Sequence, residues 1–589
     1  MREFTRTKEE IDNTDAESDD SVNGTGCRFG KCQATSRFRA LWFSGRLREL
    51  KQFWRKTVLS PSHWLAVLAG LLLTAAFPKI NIAGFAWIAP GLMLFAALGK
   101  NSGERFRLGY IAGAVHYLSS LYWLLLIPFP GGAVVGWLAL GAYCAIFPGL
   151  WVWLCWRMQN SIRHVSQTIR VAQWFSETTW LARLSWCFSC AALWVALEMI
   201  RARLLTGFPW NFVGVSQFRL TPLIQIASVT GVYGISFLIV WFSVSLGCAG
   251  LKLAQKPGRY HSCLAEVIVP LLATLACVAG GFHRLAAPVG DAPILKMALV
   301  QPGIRQEMIF DPKEDGARFE KLLRLSKAAL ASKPDVLVWP EASMPNFSEE
   351  NFAAIIGLIS SNRAWFVFGA DDVEIQPAET NFFNSAFLFD SSPKLAAKYQ
   401  KRRLVIFGEY IPFSRWLPFL GRLIPIGNFA AGKRVVPFVV QGPRARMALL
   451  ICFEDSFPHG ALEGASDDTD FLLNLTNDGW FGHSAAQWQH AVNALFRAVE
   501  NGMPLVRCTN NGLTCWVDEF GRLRGFLGGQ GGDIYEAGFL PVEIPLRKPG
   551  ENRRPTFYRH HGDWFGWGCV GWSIWLVASS SRRRPGIPN

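Results

Sequence analysis

Charge is scarce in this chain. Asp, Glu, Lys and Arg make up only 17% of its 589 residues, while 50% are hydrophobic, with 25 Trp and 44 Phe. So little charge on so aromatic a chain argues against an ordinary soluble protein and points to a polytopic membrane protein. Ligand clusters are lacking too. None of the 13 cysteines is paired at zinc-ribbon spacing, and the ten histidines form no group, which argues against a metal site; no cofactor is expected. No long apolar run precedes His63, so an ordinary cleaved signal peptide is not expected. The net charge of +15 would suit nucleic acid, but the basic residues stand at the ends of apolar segments rather than on a soluble face. Membrane topology accounts for that placement, and no nucleic-acid partner is expected.

Residues 1–40 are rich in Asp, Glu, Ser, Thr and Gly, and Arg46, Arg48, Lys51, Arg55 and Lys56 follow as a basic collar. Residues 1–56 therefore read as a disordered polar and basic tail. Apolar segments come next, at about 64–78, 82–99, 108–128, 133–156, 186–204, 222–250 and 263–282, with a last one at about 564–580. A spanning helix needs roughly 20 apolar residues, and several of these runs suffice. Arg and Lys crowd the loops after the second segment (Lys100, Arg105, Arg107), the fourth (Arg157, Arg163, Arg170, Arg183) and the sixth (Lys252, Lys256, Arg259), whereas the loop after the third, Pro128 to Gly132, has none. The positive-inside rule then places both termini in the cytoplasm and residues 284–560 on the other side. Arg201 and Arg203 misfit this scheme. With Glu198 they line a polar cavity, or Glu198 and Arg201 form a helical pair.

The outer region changes character. Apolar runs shorten to strand length at 294–300, 335–339, 365–369, 384–389, 446–452, 470–475, 504–509 and 513–518, with amphipathic helices predicted at 317–332 and 484–501. Strands alternating with helices predict an α/β layered domain. Three runs end in reactive side chains: Val336 to Trp339 runs to Glu341, Leu449 to Ile451 delivers Cys452 and then Glu454, and the 401–409 stretch offers Lys401 and Glu409. A cysteine must become thiolate to attack; a lysine stabilises the thiolate and later the oxyanion, and a desolvated glutamate carries the proton. That is an acyl-transfer centre with no histidine. The rival is a Cys–His pair using His459, His483 or His490. Cys508 and Cys515 flank a turn signal at Asn510-Asn511-Gly512, as packing residues or as a cross-hairpin disulfide.

Four stretches in order carry a resemblance: Trp339-Pro340-Glu341-Ala342-Ser343, Lys401-Arg402-Arg403-Leu404-Val405 with Phe407-Gly408-Glu409, Ile451-Cys452-Phe453-Glu454, and Asn477-Asp478-Gly479-Trp480-Phe481-Gly482. They resemble the nitrilase superfamily, and most closely its membrane branch, the apolipoprotein N-acyltransferases. Thr206 to Asn211 and Gly231 to Gly234 in the apolar half are similar to that family as well. The resemblance covers about residues 60–580. It implies a bundle of about eight membrane helices carrying a periplasmic αββα nitrilase-like domain in the bacterial inner membrane, with domains at 57–285, 286–558 and 559–589. It also implies ping-pong transfer of an acyl chain, from a phospholipid (preferentially phosphatidylethanolamine) through a cysteine thioester to the α-amino group of the diacylglyceryl-cysteine of an apolipoprotein. Carried over, Cys452 is the nucleophile, Glu341 the base and Lys401 the oxyanion stabiliser. Glu409, Glu454 and Asn384 are supporting residues, and Trp480 is an aromatic near the pocket. Phe453 stands where the family often has Tyr, which removes a hydroxyl. A monomer is the default.

Two other functions fit parts of the pattern. A membrane-tethered amidase or nitrilase would use the same three residues but needs one anchoring helix, not eight. A transporter or receptor with an inert outer domain would not need the nucleophile, base and lysine together. Lipid-borne substrates also call for apolar loops around the site, expected at 411–432 and 479–486 from Trp416, Leu417, Phe419, Leu420, Phe429, Trp480 and Phe481. Replacing Trp416 and Phe419 with Ser is expected to hurt turnover of long-chain lipid donors more than that of a short soluble ester.

Overall fold

The apolar runs of the first half become helices: α1 Pro61–Ala75, α2 Ala89–Ala96, α3 Ser102–Ser120, α4 Gly132–Ile162, α5 Trp180–Arg201, α6 Val232–Gln255 and α7 His261–Leu285. The structure is a computed structural model. It describes residues 60–129, 131–162, 174–175, 177–255, 261–286, 292–309, 311–344, 348–377, 379–411, 429–528, 533–548 and 555–582. The N-terminal tail, most of the basic loop after the fourth segment, and Trp416, Leu417, Phe419 and Leu420 lie outside these. Among the described helices four are long and apolar enough to cross a membrane: Gly132–Gln159 within α4, α5, α6 and Leu264–Leu285 within α7. The second predicted segment is not one helix. A 3-10 turn at Ala83–Trp87 gives way to the eight residues of α2, with Pro90 in its first turn. The sixth starts later than its hydropathy suggests, because Gly231 takes φ +67° and breaks the chain just before Val232. Helices α3 and α4 touch closely where Gly109 and Gly113 face Pro148; a Cβ on Gly109 would meet the Pro148 carbonyl at 2.5 Å. Small residues let membrane helices approach in this way.

Among the described residues the second half builds twelve strands: β1 Ile294–Gln301, β2 Val336–Val338, β3 Trp365–Gln376, β4 Glu379–Phe389, β5 Leu395–Gln400, β6 Phe438–Val440, β7 Ala445–Ile451, β8 Phe471–Thr476, β9 Leu505–Thr509, β10 Cys515–Val517, β11 Leu523–Phe526 and β12 Gly538–Pro545. They form two six-stranded sheets, β12-β1-β2-β3-β4-β5 and β11-β10-β9-β8-β7-β6. In each a parallel triplet is flanked by antiparallel neighbours. Side chains alternate across each strand, so every buried strand feeds two cores. Met297, Leu299 and Val338 meet Met447, Leu449 and Leu473 between the sheets. On the outer face of the first sheet, Val300, Leu337 and Phe368 pack on Phe319 and Leu322 of α8 (Asp315–Leu330) and Ile355 and Ile359 of α9 (Glu349–Asn362). On the outer face of the second sheet, Leu450 and Leu472 pack on Val492, Leu495 and Phe496 of α10 (Ala486–Asn501), in one core with Trp194 and Tyr233 of the membrane half. The layers run helix, sheet, sheet, helix, as the αββα expectation has it, and the fourth layer is the one that meets the bundle. Helix α11, Trp564–Arg582, closes the described chain.

Strands β5, β6, β11 and β12 were not expected from hydropathy. They lie at or beside sheet edges; β6 is only three residues long, and Pro541, Glu543 and Pro545 break the apolar run of β12. Arg203 is accounted for by an ion pair with Asp563, just ahead of α11. Glu198 and Arg201 do not pair with each other in the structure. Glu198 accepts from the Trp194 indole and the Val213 amide, both at 2.9 Å, and Arg201 donates to the carbonyl of Trp210 at 2.7 Å. Both line a small, half-open cleft with Tyr117, Phe147 and Trp151, and Arg203 is not among the lining residues.

Candidate active site

Each of the site's main side chains stands just past the end of a strand. Strand β2 ends at Val338, and the turn that follows carries Glu341. Its backbone is pressed so closely on Gly369 of β3 that a Cβ there would meet the Glu341 Cα at 2.6 Å. Only glycine fits, and Gly369→Ala would push Glu341 off its place. Lys401 follows β5 directly and is fixed by its own N–H on the Asn384 carbonyl at 2.8 Å. Cys452 follows β7 and adopts φ +52°, a region few side-chain-bearing residues enter and one that clusters at functional sites.

Lys401, Glu341, Glu409 and Asn384 converge on one point. The Lys401 ammonium lies 3.2 Å from Glu341 Oε1 and 2.7 Å from Glu409 Oε1. Asn384 Nδ2 donates to the same two oxygens, at 2.7 and 2.9 Å. The second oxygen of Glu341 accepts the Asn477 N–H at 2.9 Å, and that of Glu409 the Val405 N–H at 2.9 Å. Desolvation pushes the Cys452 thiol well up from its ordinary value, and Glu341 adds to this while Lys401 opposes it. Burial would lower the Lys401 ammonium, but Glu341 and Glu409 outweigh it and hold it well above its ordinary value. The arrangement thus keeps a proton on sulfur at rest, with a cation and a carboxylate both in electrostatic range of it.

Glu454 stands behind the site. It accepts from the amides of Ile451 (2.8 Å), Arg402 (2.7 Å) and Arg403 (3.0 Å) and from the Tyr399 hydroxyl (2.9 Å). One buried carboxylate therefore ties the cysteine turn to the lysine loop. Glu454→Ala orphans four donors and is expected to lower stability by more than about 3 kcal/mol, read by thermal unfolding. Glu454→Gln, which keeps a carbonyl acceptor, should lose clearly less; equal losses would mean that these bonds are not what the carboxylate supplies.

Phe453 turns away from the carboxylates. Its ring lies 6.0 Å from those of Phe208 and Trp210 in the membrane half and 5.1 Å from Phe457. Phe481, beside the half-buried Trp480, meets Trp123 at 4.5 Å. Gln489 of α10 completes this junction: its Oε1 accepts from the indoles of Trp123 and Trp210, and its Nε2 donates to the carbonyls of Pro78 and Ser120. The Gln489 contacts were not legible beforehand, since their partners lie hundreds of residues away. The histidines of the rival reading are engaged elsewhere. His459 packs on Phe457, His483 stacks on Tyr535 at 3.8 Å, and both ring nitrogens of His490 face carboxylates. Cys508 and Cys515 are both free. Cys515 is in register with Arg507, so the two thiols point to opposite faces of the sheet and belong to different cores.

Comparison with known proteins adds an independent line. Residues 69–245 match the family model described as the apolipoprotein N-acyltransferase N-terminal domain, and residues 296–533 match the carbon-nitrogen hydrolase model. The chain is 35% identical to an apolipoprotein N-acyltransferase of Geobacter metallireducens, over 89% of this chain and 96% of that protein. It is 30% identical to one of Rhizobium rhizogenes, over 88% and 95%. Among solved structures it is similar to an amidase from Nesterenkonia sp., at 19% identity and a TM-score of 0.32, covering 47% of this chain and 99% of that one.

Proposed function

The chain belongs to the apolipoprotein N-acyltransferase family, and from that premise we propose that Cys452, Glu341 and Lys401 carry its acyl transfer. Its activity is the N-acylation of lipoproteins, by a membrane enzyme of the carbon-nitrogen hydrolase superfamily acting on lipid and lipoprotein substrates. The observation that supports the residue roles best is the shared ion pair, in which one lysine spans two glutamates beside a strand-end cysteine held at positive φ.

In the first half-reaction Cys452 Sγ attacks the ester carbonyl of a phospholipid, phosphatidylethanolamine being the expected donor, as its proton passes to Glu341. The oxyanion forms beside the Lys401 ammonium. The carbon–oxygen bond breaks, the lysophospholipid oxygen takes the proton back from Glu341, and the acyl chain remains as a thioester. In the second half, the α-amino nitrogen of a diacylglyceryl-cysteine attacks the thioester and Glu341 receives its proton. The carbon–sulfur bond then breaks, and sulfur is reprotonated. The aromatic junction of Phe453, Phe208 and Trp210 keeps water away from the thioester, so that transfer outruns hydrolysis. The orientation read from loop charge puts this site on the periplasmic side of the inner membrane with both termini cytoplasmic, and the enzyme acts as a monomer.

The test is incubation of the purified protein with acyl-labelled phosphatidylethanolamine, followed by mass spectrometry of the peptide holding Cys452. The expected result is a thioester-linked chain that a diacylated lipopeptide discharges as an amide. Release of the label only as free fatty acid would establish the hydrolase instead, and an unmodified Cys452 would overturn the nucleophile assignment.

A further inference from the structure

A second charge cluster lies behind the nucleophile, built from side chains that the acyl-transfer steps do not use. Asp455 is three residues past Cys452, Asp478 sits on the turn after β8, His490 on α10 and Arg507 on β9. All four are at most 2% exposed. They close a ring. His490 Nδ1 lies 2.7 Å from Asp478 Oδ1, and Nε2 lies 2.8 Å from Asp455 Oδ1, the latter a charge contact off the hydrogen-bond line. Arg507 pairs with the other oxygen of Asp455, and at 3.3 Å with the other oxygen of Asp478. Each carboxylate thus offers one oxygen to the imidazole and one to the guanidinium.

This geometry fixes the protonation of the ring. A neutral imidazole has one N–H, and its bare nitrogen would hold its lone pair within 2.8 Å of a carboxylate oxygen inside a dry site. With a carboxylate at both nitrogens, His490 is an imidazolium, and the ring holds two anions and two cations. Burial alone would lower the His490 pKa; Asp455 and Asp478 outweigh it, with Arg507 opposing, and the value is pushed up to about 9. The groups that face His490 come from every packed element: Asp455 from the cysteine turn, Asp478 from the 478–481 turn, Arg507 from β9, and the Trp210 indole of the membrane half at 5.4 Å. Cys515 of β10 adjoins Arg507, and on α10 itself Arg497 and Glu500 pair with each other. Asp478 also acts electrostatically on the Cys452 thiol.

We propose that His490, as an imidazolium, is a positioning residue for acyl transfer: its charge balances the ring behind Cys452, and its loss leaves an uncompensated anion that opposes charge on sulfur. This rests on Cys452 being the nucleophile. The same proton stabilises the fold. A histidine whose folded value is raised contributes fully below its ordinary value of 6.5, and that contribution is lost as pH rises through about 9.

The experiment follows thioester formation on Cys452 from phosphatidylethanolamine in a single turnover, without acceptor, so that no substrate amine titrates. In the unmodified protein the rate should hold to about pH 8 and fall above about 9 towards the rate of His490→Gln, opposite in sign to thiol ionisation. His490→Gln should be slower at pH 7 by about 10- to 100-fold and show no break near 9. Asp455→Asn/His490→Gln leaves one anion and one cation, and should recover at least about tenfold. The proposal is overturned by a rate that does not fall near pH 9 in the unmodified protein, by a break that persists in His490→Gln, or by a double variant that elutes as folded protein yet is no faster than the single one. If no acyl chain reaches Cys452 even at pH 7, the nucleophile assignment fails instead.

Discussion

Cys452→Ala should abolish both half-reactions. No acyl chain should remain on the protein after incubation with labelled phospholipid, and amide formation on a diacylated lipopeptide should fall by at least about a thousandfold, as expected when the atom forming the covalent intermediate is removed. The fold should tolerate the change. Cys452 has a position at the end of a strand that is held by neighbours rather than by its sulfur: Asn474 Nδ2 donates to its carbonyl at 3.0 Å, and Glu454 binds the amide of Ile451 one residue earlier. Unfolding temperature should therefore change little while activity disappears. A variant that still acylates lipopeptide at more than a few per cent of the normal rate would remove the thioester from the mechanism.

Lys401→Met should be nearly as severe, for two separable reasons. The ammonium is the cation shared by Glu341 and Glu409, and it is 1% exposed. Its removal leaves two carboxylates sharing only Asn384, and breaking a buried pair in this way costs about 3–5 kcal/mol. On the proposed mechanism it also removes the positive charge beside the oxyanion, worth about 10²–10³ in rate. Pairing it with Glu409→Gln separates the two effects. The double variant removes one of the uncompensated charges, so its unfolding temperature should recover, while thioester formation should stay low. Joint recovery of stability and activity would show that Lys401 serves the fold and not the chemistry.

Much of the architecture was legible beforehand because it rests on local pattern. Run length separated membrane helices from strands, since a bilayer demands about 20 apolar residues and a buried strand only a handful. The long hairpin of β3 and β4 went further than its apolar run, because ladder hydrogen bonds continue through Asp371 to Gln376 whatever the side chains there. β6 escaped notice because it is only three residues long, and β12 because Pro541, Glu543 and Pro545 break its apolar run. Glu341, Lys401, Glu409 and Asn384 were named from motif segments and meet within hydrogen-bond distance. Glu454 was named too, but its place is behind the site as a tie between two turns. Phe453 lies against the membrane half, its ring packed near Phe208 and Trp210.

By itself, then, the sequence determined the two halves of the molecule, the strand ends on which reactive groups are displayed, and the chemistry those groups support. Each of these depends on residues close together in the chain. The tertiary structure alone decided which charges meet. Asp455, Asp478, His490 and Arg507 come from four elements and close a ring only after the sheet and α10 have packed. Gln489 likewise finds Trp123 and Trp210 only when the two halves are docked. Buried polar groups demand partners wherever the fold can supply them, and contacts made across hundreds of residues leave no periodicity, spacing or composition to read.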